Sequence, residues 1–279
     1  MKVTKKNGEL VDFDVEKFSS SLRSSGTADS VIEKIVKNIQ ANIYDGISTH
    51  ELYKKAFDEL KSISRSSAAR YSLKKALLGL GPAGYAFEEW VARVFRFLGY
   101  RTETEQLIRG HAVTHEADVI AQKGNRTFWV ECKFRNDEDT RISVTTPMYV
   151  LSRIKDISGI RYRLFDSETE FTDGWLITNS YFTSDSIDFS EYYGLKLLSW
   201  DYPKNHSIKN LVDDNSLYPV TCLTTLTQEE IHLLLGHKCL LVSELVDNPD
   251  FLSLLQLSEE RKIPVLQEAG ELLKSRISE

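Results

Sequence analysis

Residues 118–134 place a constraint on this chain that few folds can meet. Two β-patterned runs, 118–121 and 127–134, flank the turn-forming Lys123-Gly124-Asn125. The second opens as a buried strand with Phe128, Trp129 and Val130, then admits Glu131 and Lys133. Side chains alternate faces along a strand, so Glu131 and Lys133 share one face while Cys132 takes the other. A core strand tolerates such charges only where they have polar work to do. Asp118 opens the partner strand, so two carboxylates and an ammonium are expected to converge.

The flanking pattern supplies a frame. Phe87, Val91, Val94, Phe95 and Leu98 recur at helical spacing over 85–98. Downstream come a helix at 146–157, a strand at 174–178, a helix at 184–193 and a strand at 195–200. This alternation implies a mixed sheet flanked by helices.

Residues 1–80 have a different character. A strand over 1–5 leads into Asn7-Gly8, a two-residue hairpin signal, and 9–13 return. Helical periodicity covers 15–24, 28–43, 49–62 and 66–78. Asp45-Gly46 separates the second helix from the third, which Ser48-Thr49 caps. Gly79-Leu80-Gly81-Pro82-Ala83-Gly84 reads as a linker. From about 205 the chain is mostly helical by pattern, at 227–235, 242–245, 250–255 and 258–274. Its leucines suit a small core or an oligomerising surface. The expected domains are 1–80, 83–203 and 205–279.

The three cysteines (Cys132, Cys222, Cys239) lack paired spacing, which argues against a disulfide framework and a zinc site and suits a reducing cytoplasm. No segment reads as a signal peptide or an apolar membrane span. The formal net charge of -6 looks wrong for a nucleic-acid binder until it is divided along the chain. Residues 1–82 carry 14 Lys and Arg against 10 Asp and Glu; 83–200 carry 14 against 18; 201–279 carry 7 against 13. Net acidity therefore leaves room for a local phosphate-binding surface.

Cleaving a phosphodiester requires the phosphate to be neutralised and a hydroxide supplied. A hard divalent cation, Mg2+ (or Mn2+), does both and is held by one or two carboxylates plus waters. Asp118 and Glu131 suit that cation, with the backbone carbonyl of Cys132 as a further oxygen ligand. Lys133, beside the attacking water, favours hydroxide and the developing negative charge. Arg135, Arg141, Arg153, Lys155, Arg161 and Arg163 follow the motif and are available to DNA phosphates.

Asp118, twelve intervening residues and then Glu131-Cys132-Lys133 resembles the PD-(D/E)xK nuclease motif, with Ala117 where the name motif has Pro. The surroundings resemble the Mrr branch of restriction endonucleases. Phe87-Glu88-Glu89-Trp90-Val91 followed by Gly99-Tyr100 matches that family's helix and turn, and Trp175-Leu176-Ile177-Thr178 followed by Phe182-Thr183 matches its later strand. Many Mrr members have Gln where this chain has Glu131. The resemblance implies that Glu88 is the helical acid supporting the metal site, with Glu89 as its competitor.

The opening "VTKKNGELVDFDVEKF" resembles the ATP-cone, a small regulatory domain of ribonucleotide reductases and a related repressor. Val3, Lys5, Lys6, Asn7, Gly8, Phe13, Asp14 and Lys17 stand in its register, with Lys6 for Arg and Asn7 for Asp. "YDGISTHELY" matches its loop-to-helix piece, which implies that Thr49 and Tyr53 lie near the base. The implied nucleotide set is Val3, Lys5, Lys6, Asp14, Lys17, Thr49 and Tyr53. The lysines gather charge able to meet a triphosphate. No Walker-type motif occurs, and the family binds ATP or dATP as an effector without hydrolysing it.

These resemblances imply an α/β, restriction-endonuclease-like mixed sheet, preceded by a mainly helical ATP-cone with a short β-hairpin and followed by a small helical domain. They imply a cytoplasmic, metal-dependent DNA endonuclease regulated by ATP or dATP, acting in restriction or defence. Expected partners are DNA, an adenine nucleotide and further copies of the chain, with no membrane. The alternative is a nucleotide-responsive DNA-binding regulator that keeps the scaffold without cleavage.

Overall fold

The computed structural model describes residues 1–81, 84–137 and 139–274. Pro82 and Ala83 of the expected linker lie outside the described residues. At the N-terminus, β1 (Lys2–Thr4) pairs antiparallel with β2 (Leu10–Asp12), and its other edge takes β3 (Ile47–Ser48) in parallel. Gly8 closes the hairpin at φ +85°, a conformation that costs a glycine little. Helices α1 (Val15–Arg23), α2 (Asp29–Asn42) and α3 (Thr49–Ile63) pack with this small sheet around one apolar cluster. Periodicity predicts one helix over 66–78. Two form, α4 (Arg65–Tyr71) and α5 (Leu73–Leu78), separated at Ser72. The Ser72 hydroxyl donates to the Ala69 carbonyl at 3.1 Å, a local bond that competes with the helical ladder.

The next elements are α6 (Tyr85–Phe97), β4 (Arg101–Arg109), β5 (Thr114–Lys123), β6 (Arg126–Cys132), β7 (Arg141–Ile142), α7 (Thr145–Ile157), β8 (Tyr162–Leu164), β9 (Ser167–Thr169), β10 (Phe171–Ile177), β11 (Tyr181–Phe182), α8 (Ser184–Tyr193) and β12 (Lys196–Leu198). Five strands form one sheet in the order β12-β10-β6-β5-β4. β10 runs parallel to both β6 and β12, while β5 is antiparallel to both β6 and β4, so the sheet is mixed as expected. One face carries Val119, Phe128 and Val130 against Phe87, Trp90 and Val91 of α6. The other carries Ile120, Trp129 and Leu176 against Val150 and Ile157 of α7. Helices therefore flank the sheet on both sides.

The chain closes with α9 (Ile208–Asn215), a single 3-10 turn (Val220–Cys222), α10 (Gln228–Gly236), α11 (Val242–Asp247), α12 (Pro249–Leu254) and α13 (Glu259–Leu273). Their apolar residues are not walled off. Leu73 of α5, Trp90 of α6, Val130 of β6, Val242 of α11 and Leu272 of α13 share one cluster. Buried Glu268 ties α13 to the loop between the 3-10 turn and α10 by accepting from the Thr224 and Thr225 amides, both at 2.9 Å. Among the described residues no helix is long and apolar enough to cross a membrane.

Candidate active site

Register builds the site. β5 and β6 pair Val119 with Val130 and Ile120 with Trp129, so Asp118, one residue earlier, stands opposite Glu131. Opposed residues of an antiparallel pair lie on the same face. On the other side of β5, Thr104 pairs with Val119 and Gln106 with Ala117, which sets Glu105 of β4 opposite Asp118. Glu105, Asp118 and Glu131 thus form a row across three neighbouring strands. Glu105 has φ +55°, uncommon for a residue with a side chain, and such strain gathers at functional sites.

Asp118 and Glu131 are held in place. Asp118 Oδ2 accepts from the Cys132 amide at 2.7 Å. Glu131, 9% exposed, accepts at Oε2 from Trp129 Nε1 at 3.2 Å and from Arg153 Nη1 at 2.8 Å. Arg153 also donates to the Glu116 carbonyl at 3.1 Å and lies over the Trp129 and Tyr149 rings, 5.7 and 4.8 Å from their centroids. It serves as the counter-charge of Glu131 here, not as a free phosphate ligand. Arg161, another arginine expected to meet DNA, pairs with Glu170 at 3.4 Å.

The helical acid is resolved by its partners. Glu89 is engaged by Arg93, by Lys238 at 3.0 Å and by Thr104 at 3.2 Å. Glu88, in the first turn of α6, makes no hydrogen bond or ion pair among the described residues. Burial, then the charges of Glu105, Glu116, Glu131 and Glu89, push its carboxyl up to about 7. Burial and the Glu131 charge likewise push Asp118 up to about 7, with Glu88 contributing and Arg153 opposing. The Glu105 and Glu116 contributions are absent from the motif reading. Glu105 is announced only by the alternating acids of "TETEQ", on a strand whose polar pattern gives no periodic core, and Glu116 lies two residues before Asp118 on β5.

Lys133 lies one residue beyond the end of β6, where the expected strand would have continued to 134. Its amide still donates to the Ile177 carbonyl at 2.7 Å, so the backbone stays registered with β10. Its ammonium makes no hydrogen bond or ion pair among the described residues. The Cys132 thiol is buried on the opposite face, within the cluster of α6. Burial and the nearby Asp118, Glu88 and Glu131 charges hold it well above the usual thiol range, which leaves only its carbonyl as an oxygen donor. His115 bonds Asp156 at 2.8 Å and His111 the Ser158 carbonyl at 3.1 Å, so both serve the end of α7.

Two partly desolvated carboxylates that repel one another are the electrostatic complement of a divalent cation. The donor set of Asp118 and Glu131 fits Mg2+ with most of its shell left to water. Among the described residues no group of three or more His, Cys, Asp or Glu side chains forms an ion cage.

The same repulsion predicts a pH dependence. Asp118 and Glu88 bind protons more tightly folded than unfolded, where carboxyls titrate near 4. Their contribution therefore favours the fold at low pH and is lost as pH rises from about 4 through about 7. The metal-free protein is expected to melt several degrees higher at pH 6 than at pH 8, and Mg2+ to raise the midpoint mainly at pH 8. The double variant Asp118→Asn, Glu88→Gln should lose both effects; an unchanged pH profile in that variant would refute this account.

The N-terminal residues do not gather at one point. Lys5 and Lys6 sit at the hairpin turn, and Thr49 opens α3 beside Ser48, which is paired with Thr4. Asp14 and Lys17 lie at the other end of β1, where Phe13 bonds the Met1 carbonyl at 2.9 Å. The length of β1, roughly 10 Å for three residues, separates the two groups. Asp14 caps α1 by accepting from the Lys17 amide at 2.9 Å. The expectation for Val3 needs correction. Its side chain is 5% exposed in the core with Phe18 and Ile47, because alternate β1 residues face that core, so only its backbone remains for a ligand. Tyr53, one turn beyond Thr49, stacks on Tyr71 at 5.0 Å and lines a cleft of about 660 Å³ that reaches the 220–222 turn.

A mixed sheet flanked by helices, with two carboxylates opposed across its antiparallel pair, is the frame of a restriction-endonuclease-like domain. Comparison with known proteins agrees. The family model described as "Restriction endonuclease" matches residues 82–202, "ATP cone domain" matches 1–77, and "AF1548-like, C-terminal" matches 218–273. An uncharacterized protein of Archaeoglobus fulgidus is 31% identical over 134 residues, 48% of this chain and 71% of that protein. A solved structure titled "Crystal Structure of Protein of Unknown Function AF1548" superposes with a TM-score of 0.55 at 26% identity, covering 68% of this chain and 97% of that one. The chain joins an ATP-cone domain to an Mrr-type restriction-endonuclease domain, and it belongs to one family with the Archaeoglobus fulgidus protein.

Proposed function

We propose that this protein is a metal-dependent endodeoxyribonuclease whose activity responds to ATP or dATP at the cone. The observation that carries the reading is the opposition of Asp118 and Glu131 on one sheet face, where the two carboxylates repel each other and Arg153 is the counter-charge of Glu131. In this reading Asp118 and Glu131 hold Mg2+ or Mn2+, with the Cys132 carbonyl adjoining. A bound divalent cation supplies neutralisation of the phosphate and acidification of water. The Lys133 ammonium orients the attacking water and stabilises the negative charge that develops on the phosphate. Glu88, without a hydrogen bond or ion pair among the described residues and titrating near neutrality, accepts a proton at its carboxylate or anchors a water beside the site. Arg153 holds Glu131 until the site is loaded. The division into a cone over 1–80, a nuclease over 83–203 and a helical unit over 205–279, a cytoplasmic setting, self-association and a role in restriction or defence belong to the same proposal.

One observation favours the rival, a DNA-binding regulator without cleavage: Arg153 already neutralises Glu131. Incubating purified protein with plasmid DNA and Mg2+, with and without ATP or dATP, separates the two. Wild type is expected to nick, and Lys133→Ala to be slower by about 10²–10⁴-fold, the usual range for a lost acid–base or charge-stabilising group. Equal nicking by both would assign the activity to a contaminant.

A further inference from the structure

The hairpin turn of the cone and the loop leaving the catalytic strand touch each other. Lys6 Nζ donates to both carboxylate oxygens of Asp137, at 2.9 and 3.1 Å, and lies 3.3 Å from Asp139 Oδ2. Asp137 and Asp139 belong to the segment that begins after Lys133 and ends at β7. Both ends of that segment are anchored. At the start, the Thr178 hydroxyl donates to the Lys133 carbonyl at 2.6 Å, and Asn179 exchanges two 2.8 Å bonds with the Arg135 backbone. At the finish, the Ser180 hydroxyl donates to the Thr140 carbonyl. Asp137 and Asp139 are exposed between these anchors, and the cation of the cone turn bridges them.

Lys6 carries one charge. A nucleotide phosphate placed at the Lys5-Lys6 turn is a third anion drawn to an ammonium that already faces two carboxylates. The more highly charged phosphate repels both aspartates as it closes on Lys6. The three side chains are solvent-exposed, and an exposed ion pair is held weakly enough to exchange. Whatever equilibrium the phosphate shifts at Lys6, the aspartates must oppose by the same factor.

We propose that Lys6 is a shared ligand. With the turn empty it clamps the Asp137–Asp139 loop beside the catalytic strand, and the phosphates of an adenine nucleotide take it over and release that loop. The inference rests on the nucleotide reading of the cone and specifies how the cone reaches the nuclease site. It is an exchange of partners at one ammonium within one chain, and it requires no change in self-association.

The test compares wild type with the full-length double variant Asp137→Asn, Asp139→Asn, which removes the competing charges from an exposed loop. Calorimetric titration with ATP should show the variant binding about 5-fold more tightly, the low end of usual site-to-site couplings. Deuterium exchange over 133–141 should rise in wild type when ATP is added. In the variant it should be high with or without ATP. Nicking by the variant without nucleotide should match wild type with nucleotide, whichever direction that effect takes. Equal ATP affinity and unchanged exchange would overturn the proposal while leaving nucleotide binding intact. Failure of wild type to bind ATP would overturn the nucleotide reading and this inference with it.

Discussion

Asp118→Asn is expected to slow Mg2+-dependent plasmid cleavage by about 10³-fold, a loss of roughly 4 kcal/mol of transition-state stabilisation. The same substitution should leave the thermal midpoint at pH 8 unchanged or higher. The divergence comes from opposite demands on one carboxylate. As a ligand it must be charged, and charged it is buried beside Glu131 and Glu88. An asparagine keeps an oxygen able to accept from the Cys132 amide, so the local backbone retains its 2.7 Å bond. It loses half of the charge available to a cation, and several kcal/mol of charge stabilisation depend on that cation. Cleavage above about a tenth of wild type would show that Asp118 is not a ligand, on the scale where tenfold corresponds to about 1.4 kcal/mol. A fall in both midpoint and activity would instead mark Asp118 as a structural residue.

Trp129→Ala is expected to cost about 3–5 kcal/mol of stability, the usual range for deleting a buried aromatic side chain. The ring is 0% exposed, with Phe171 and His115 edge-on at 5.9 and 6.2 Å and the Arg153 guanidinium over its face. Trp129→Phe is the informative companion. It keeps a ring for the core but removes the Nε1 donor to Glu131. It should lose less stability than the alanine variant and still cut slowly, because Glu131 is then oriented by Arg153 alone. Urea unfolding alongside nicking rates measures the split. A phenylalanine variant with full activity would mean that the indole N–H does nothing for Glu131.

Much of this was legible in the sequence because the relevant residues repeat at diagnostic spacing. Phe87, Val91 and Phe95 disclose α6, and the boundaries of α8 fall at Ser184 and Tyr193 as the pattern predicts. Trp129 and Val130 mark a buried strand whichever fold contains them. Other elements left no such trace. β4 is an edge strand whose residues, from Arg101 through Glu103 and Glu105, are mostly half-buried or exposed, so alternation never appears as hydrophobicity. β3 has two residues, and only pairing with β1 makes it a strand. The tight β8–β9 hairpin turns through Phe165 and Asp166 at φ +51° and +63°, with no glycine to announce it.

The site divides along the same line. Asp118, Glu131 and Lys133 can be named from spacing, since register follows from a short hairpin. Arg153 cannot, because its approach to Glu131 depends on how α7 lies across the sheet. Choosing between Glu88 and Glu89 requires Lys238, 149 residues downstream of Glu89, which occupies Glu89 and not Glu88. The cone's contact with Asp137 is equally remote, since no periodicity connects residues 131 apart.

The helix bearing Glu88 leans on polypeptide from the far end of the chain. Trp90 donates to the Leu217 carbonyl at 3.3 Å, Arg93 to Glu244 at 3.2 Å, and the apolar side chains between them continue into α13. The tail is thus a back wall for the candidate site and not a detachable appendage. Exchanging nuclease modules between relatives means carrying the whole segment after β12 along with them, since a graft that ends at Leu198 would leave the acidic helix without its support.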